Sequence, residues 1–142
     1  MNAEPNHKVL LVANQIEELS RVEVFLEEVG EEWDFSVPLV YSLNLALEEA
    51  LANIISYGYD DQDHHEIEIS LVKGIATLTL TITDDGHEYD PTLKIDPDIS
   101  LPAEEREIGG LGIFLIKKIM DKVEYQRKEN RNHLILTKKI ES

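Results

Sequence analysis

Three separated stretches of this chain carry side chains whose types and spacing could do chemistry. In Glu49-Ala-Leu-Ala-Asn53 a carboxylate and a carboxamide stand four residues apart, so on a helix they lie on one face, a turn from each other. The amide oxygen of Asn53 is a hard ligand of the kind Mg²⁺ takes alongside waters and substrate phosphates. Glu49 could accept a proton from an attacking hydroxyl or water. In Asp84-Asp85-Gly86-His-Glu-Tyr-Asp90-Pro91 the first carboxylate directly follows an alternating apolar run. There it could accept from an adenine amino group, and Gly86 would let the backbone approach a flat base. Gly109-Gly110-Leu111-Gly112 opens an apolar segment, where bare backbone and the free N–H groups of a helix start suit phosphates. Each stretch also has an ordinary reading: a solvated Glu beside an incidental Asn, a strand-ending turn, a loop hinge. Taken together and in this order, they point to ATP held through Mg²⁺.

The elements that must position these groups follow from periodicity. His7–Ala13 reads as a strand built on Val9, Leu10, Leu11 and Val12. Asn14 with Glu17 fits a helix N-cap and its reciprocal partner. The helix that follows uses Ile16, Leu19, Val22, Phe25, Leu26 and Val29 and stops at Gly30. A second helix starts near Pro38 and runs to about Tyr57, burying Leu39, Leu43, Leu47, Ala50 and Ile54, with Glu49, Asn53 and Tyr57 as a polar line at the edge of that stripe. Ile67/Ile69/Leu71 and residues 75–83 alternate around Lys73-Gly74 as an antiparallel hairpin. Residues 92–108 have two prolines and little periodicity, and read as a long loop, of a length that is usually functional or mobile. A third helix spans about Leu111–Asp121, burying Leu111, Leu115, Ile119 and their neighbours, and a last hairpin pairs Val123–Arg127 with Leu134–Lys138. The expected fold class is α+β: a two-layer sandwich whose mixed, mostly antiparallel sheet carries the helices on one face.

Composition narrows the functions open to such a fold. The 142 residues suit one domain, 1–142. The chain has no cysteine, which excludes disulfides, thiolate metal sites and a cysteine nucleophile. No apolar run approaches the roughly 20 residues that span a bilayer, and the polar start Met1–Lys8 lacks the features of a signal peptide. No membrane association and a cytoplasmic location are the expectations. Net charge is −16, and residues 1–93 hold 3 basic against 20 acidic side chains. That field repels phosphodiesters, so direct nucleic-acid binding is not expected. A nucleotide entering it needs a divalent cation, backbone donors, or both. The Asp60–Glu66 run lacks a metal-ligand spacing and reads as a polar connector. There is no G-x-x-x-x-G-K-[ST] loop and no H-R-D catalytic loop.

With these stretches in view, the chain resembles the histidine-kinase-like ATPase superfamily of gyrase, heat-shock chaperone and histidine kinase ATP-binding domains. Within that superfamily it is most similar to the bacterial anti-sigma-factor serine/threonine kinases. The resemblance covers about residues 8–140, and its most specific stretches are Glu49–Tyr59, Asp84-Asp85-Gly86 with Asp90-Pro91, and Gly110–Asp121. It implies Glu49 as general base, Asn53 as Mg²⁺ ligand, Asp84 and Gly86 against adenine, and Gly110, Leu111 and Gly112 beside the phosphates, under a mobile lid formed by residues 92–108. It further implies a small antagonist (anti-anti-sigma) protein as substrate, a sigma factor as sequestered partner, and a homodimer. An ATP-binding regulatory module that sequesters a partner without significant phosphoryl transfer is the alternative. The chain departs from the family pattern at Glu88, where a further glycine is common, at Tyr57, where a histidine is common, and at Asn132-His133, where a threonine often faces the base.

Overall fold

The structure is a computed structural model and describes residues 6–93 and 110–140. The expected lid, residues 92–108, falls almost wholly outside them. The elements run β1 (His7–Ala13), α1 (Leu19–Glu32), α2 (Val37–Tyr57), β2 (Glu66–Lys73), β3 (Thr77–Asp84), α3 (Gly110–Ile119), β4 (Lys122–Lys128) and β5 (Arg131–Lys139), with short 3₁₀ turns at Ile16–Glu18 and Pro91–Leu93. The sheet order is β1-β2-β3-β5-β4, and all four pairings are antiparallel. The architecture is the α+β two-layer sandwich.

Alternation along the central strands fixes which face is buried. Ile67, Ile69 and Leu71 of β2, Leu78, Leu80 and Ile82 of β3, and Leu134 and Leu136 of β5 point into one core. They meet Val22, Leu26 and Val29 of α1, Leu43, Leu47 and Leu51 of α2, and Ile113 and Ile116 of α3. Burying each such side chain stabilises the fold by roughly 1.5–3 kcal/mol, so the central strands give a stiff platform for whatever their ends carry.

Helix ends depart from expectation at both ends of α1, which runs through the buried Gly30 to Glu32 instead of stopping there. Asn14 does not cap a helix; it accepts from the His65 backbone N–H at 3.0 Å and donates to the Asp63 carbonyl at 3.2 Å. The reciprocal carboxylate is that of Glu18, which accepts from the Ala13 amide at 2.8 Å. A long-range partner is stronger competition for a short polar side chain than the local cap. At α2, Ser36 is the N-cap, accepting from the Leu39 N–H at 3.3 Å, and Pro38 sits in the first turn. Helix α3 buries Ile113 and Ile116, and Met120 is buried just past its end; of the residues expected to lead its buried stripe, Leu115 and Ile119 are only partly buried, and the Leu111 side chain lies outside what is described. Among the described residues no helix is long and apolar enough to cross a membrane.

Candidate nucleotide site

Helix α2 carries Glu49 and Asn53 on one face, as their spacing requires, and α3 packs across that face. A Cβ placed on Gly112 would stand 3.1 Å from Glu49 Oε2 and 3.3 Å from Asn53 Nδ2. The start of α3 therefore approaches both groups closely only because residue 112 has no side chain. Gly110 is the first residue of α3 and Leu111 the second, so the free amides of that helix start lie at the same corner. Gly109 lies outside the described residues.

Asp84 ends β3 on the core-facing side, in step with Leu78, Leu80 and Ile82, and is 4 % exposed. Directly opposite it in the β3–β5 register stands Asn132. Asn132 Nδ2 donates to Asp84 Oδ1 at 3.0 Å, and the Gly86 amide donates to the same oxygen at 2.8 Å. The other carboxylate oxygen takes no donor among the described residues, and Asp84 lines an adjoining cavity. Asn132 also donates to the His87 carbonyl at 2.9 Å and accepts from Tyr125 Oη at 2.5 Å and Arg127 Nη1 at 3.2 Å. Burial raises the Tyr125 phenol above its ordinary pKa, which keeps it the donor in that bond. Arg127 further donates to the Gly86 carbonyl at 2.8 Å. The last hairpin thus holds both the carboxylate and the turn that follows it. In sequence Asn132 stood out only as a departure; its cross-strand partnership with Asp84 is a matter of register.

Gly86 is a close approach of a different kind. A Cβ there would stand 2.4 Å from the Gly58 carbonyl oxygen, so the turn is pinned to the end of α2. The His87 N–H donates to that same carbonyl at 2.9 Å, and His87 Nε2 donates to the Tyr57 carbonyl at 2.6 Å. Between these elements lies a cavity of about 40 Å³ bordered by Asn53, Tyr57, Asp84, His87, Tyr89 and Tyr125, among others. It has room for a few waters but not for a purine, and Tyr57 at its edge is about half exposed. Glu49 is not part of the cavity wall and stands one helical turn from Asn53.

The residues fit a Mg²⁺-bound nucleotide on two observations. Glu49, Asn53 and the space left by the missing side chain of Gly112 form a small cradle, and its donors are oxygen groups of the kind Mg²⁺ prefers. The buried Asp84 offers a carboxylate oxygen toward an apolar cavity, which suits an exocyclic amine.

Outside this site a second polar cluster ties the 58–65 connector to the turn. His65 faces Asp61 Oδ1 through Nε2 at 2.8 Å and Asp85 Oδ1 through Nδ1 at 3.1 Å, and its ring stacks on Tyr59 at 4.2 Å. The bond to Asp61, then that to Asp85, raises the His65 pKa, and the same bond lowers that of Asp61. Folding therefore gains stability from protonated His65 fully below the unfolded histidine value near ~6.5. This gain is lost as pH rises through the higher folded value. On the acid side, the Asp61 contribution is lost as pH falls through its depressed folded value. We expect the wild-type melting temperature to decline relative to His65→Gln as pH rises above about 6.5; parallel curves across that range would contradict the clamp.

The architecture and the meeting of α2, β3 and α3 define an ATP-binding domain of the histidine kinase type. The chain belongs to the histidine kinase-like ATPase domain family, whose family model matches residues 12–138. It is 32% identical over 113 residues to the serine/threonine-protein kinase BtrW of Bordetella bronchiseptica, covering 80% of each chain. It is 30% identical over 110 residues to the serine-protein kinase RsbW of Listeria monocytogenes, covering 75% of this chain and 69% of that one. The RsbW of Oceanobacillus iheyensis is 30% identical over 104 residues, 69% of this chain and 65% of its own.

Proposed function

We propose that this chain is an ATP-dependent serine/threonine protein kinase that acts as an anti-sigma regulatory factor and phosphorylates a small antagonist protein. The observation that carries this reading is the contact of Gly112 with both Glu49 and Asn53, because a proton acceptor, a metal ligand and a phosphate-binding helix start then share one corner. The protein-kinase names of its relatives support the same reaction class.

In this reading Asp84 accepts from the adenine amino group while Asn132 and the Gly86 amide hold its other oxygen. Gly86 allows the base to lie against the backbone. Asn53 ligates Mg²⁺, and Gly110, Leu111 and Gly112 offer main-chain N–H groups to the phosphates. When bound, Mg²⁺ neutralises charge on the phosphate oxygens. Glu49 takes the proton of the acceptor serine or threonine hydroxyl as its oxygen bonds to the γ-phosphorus. The bond from that phosphorus to the bridging oxygen breaks, and ADP leaves. Backbone donors in place of lysines explain how so acidic a chain tolerates a polyanion. Residues 1–142 work as one domain, in a cytoplasmic homodimer that also binds a sigma factor.

The test mixes the purified protein with Mg-ATP and candidate small antagonist proteins. A phosphate-sized mass gain on a serine or threonine of one of them is the expected result. ADP release with no modified protein would reduce the chain to an ATPase.

A further inference from the structure

On the side of the helical layer away from the sheet, α1 and α2 enclose a groove of about 950 Å³. Its existence follows from packing: Gly30 lets the two helices approach so closely that a Cβ there would stand 2.6 Å from Val40 Cγ2. Their outward faces leave Val24, Val37 and Tyr41 exposed, at 51 %, 82 % and 70 %, and all three line the groove. Large apolar side chains gathered in one concave place mark an interaction site more strongly than the same residues scattered.

The charge around them is of one sign. Glu23, Glu27, Glu28, Glu31 and Asp34 line the same groove, all are exposed, and the lining includes no lysine, arginine or histidine. None of the five has an ion-pair partner among the described residues; the nearby Lys8 is bonded to Glu32 instead, at 2.6 Å. At the groove's end Asn44 donates to Glu48 at 2.8 Å and leaves Oδ1 without a donor among the described residues, so its carbonyl dipole adds to the negative field.

We infer that the α1–α2 groove is a docking surface for a basic amphipathic helix of a partner protein, with apolar anchors against Val24, Val37 and Tyr41 and lysine or arginine flanks against the five carboxylates. An apolar floor with charged rims is the arrangement by which helices are captured in grooves, and complementary charge selects the partner and speeds encounter. A two-fold pairing of this surface with itself would set the carboxylates of one copy against those of the other. The groove is built from residues 23–44 and uses neither Glu49, Asn53 nor Asp84, so docking stands whether or not the chain transfers phosphate.

The experiment uses the full chain and a fluorescein-labelled synthetic peptide with leucines at i, i+3, i+4 and i+7 spacing flanked by lysines, followed by fluorescence anisotropy. Glu27→Lys/Glu31→Lys should weaken binding about tenfold or more and Tyr41→Ala about fivefold, at unchanged ATP affinity. Glu66→Lys/Glu68→Lys, which changes net charge equally on the sheet, should alter it less than about threefold, and added salt should weaken binding to the wild type. Equal losses in the two double variants would overturn the proposal, since overall charge alone would then govern binding. It would equally be overturned if light scattering showed a wild-type oligomer that Glu27→Lys/Glu31→Lys dissociates, because the occupant would then be a second copy.

Discussion

Replacing Glu49 by glutamine lowers the rate of phosphoryl transfer by about 10²–10⁴-fold, the range of a lost general base, while ATP affinity stays within about threefold. The substitution keeps the shape of the side chain and the packing against Gly112, and removes only the ability to take a proton. Glu49 is also outside the wall of the cavity that Asp84 lines, so the contacts that hold the base should not depend on its charge. Single-turnover kinetics with a cognate antagonist separates the two quantities. A Glu49→Gln protein that phosphorylates its partner at the wild-type rate would remove the base from the mechanism. If partner sequestration persisted while neither protein showed transfer, the chain would be the ATP-binding regulatory module instead of a kinase.

Asp84→Asn has the second large effect, and on the other quantity. The new amide can still accept from Asn132 and Gly86 through its oxygen, so the β3–β5 end stays assembled. What changes is the group turned toward the ligand: an NH₂ replaces a carboxylate oxygen and faces the amine of adenine. Leaving two donors opposed in a buried site costs about 3 kcal/mol, or roughly a hundredfold in ATP affinity. Titration calorimetry with Mg-ATP measures this directly, and an unchanged melting temperature of the apo-protein separates it from unfolding. Full ATP affinity in Asp84→Asn would mean that the base is recognised elsewhere.

Much of this arrangement is readable from the chain because its strands keep strict alternation. Ile67/Ile69/Leu71 and Leu78/Leu80/Ile82 could face the core only one way, and the same parity turns Asp84 inward at the end of β3. The four-residue step from Glu49 to Asn53 likewise fixes their common face once α2 is a helix. The misreadings share a physical origin. Helix α3 is apolar on nearly every side, so periodicity does not select the face that packs, and Ile113 and Ile116 are buried more fully than the expected Leu115 and Ile119. Asn14 has a good local partner and a better distant one in the His65 backbone. The support of Asp84 by Asn132, Tyr125 and Arg127 depends on strand order and register, which hydrophobic patterning does not encode. The close approach of Gly112 to Glu49 is of the same kind: it follows from how two helices cross, and either helix alone is silent about it.

All of these roles presuppose that a triphosphate binds at the corner where α2, β3 and α3 meet. Isothermal calorimetry of the wild-type chain with ATP, in the presence and absence of Mg²⁺, tests that directly. The account predicts saturable heat with one site per chain, tighter with Mg²⁺, and weaker for GTP, whose ring carbonyl would face the Asp84 carboxylate. Absence of heat for ATP under both conditions, on protein that melts cooperatively, would contradict it.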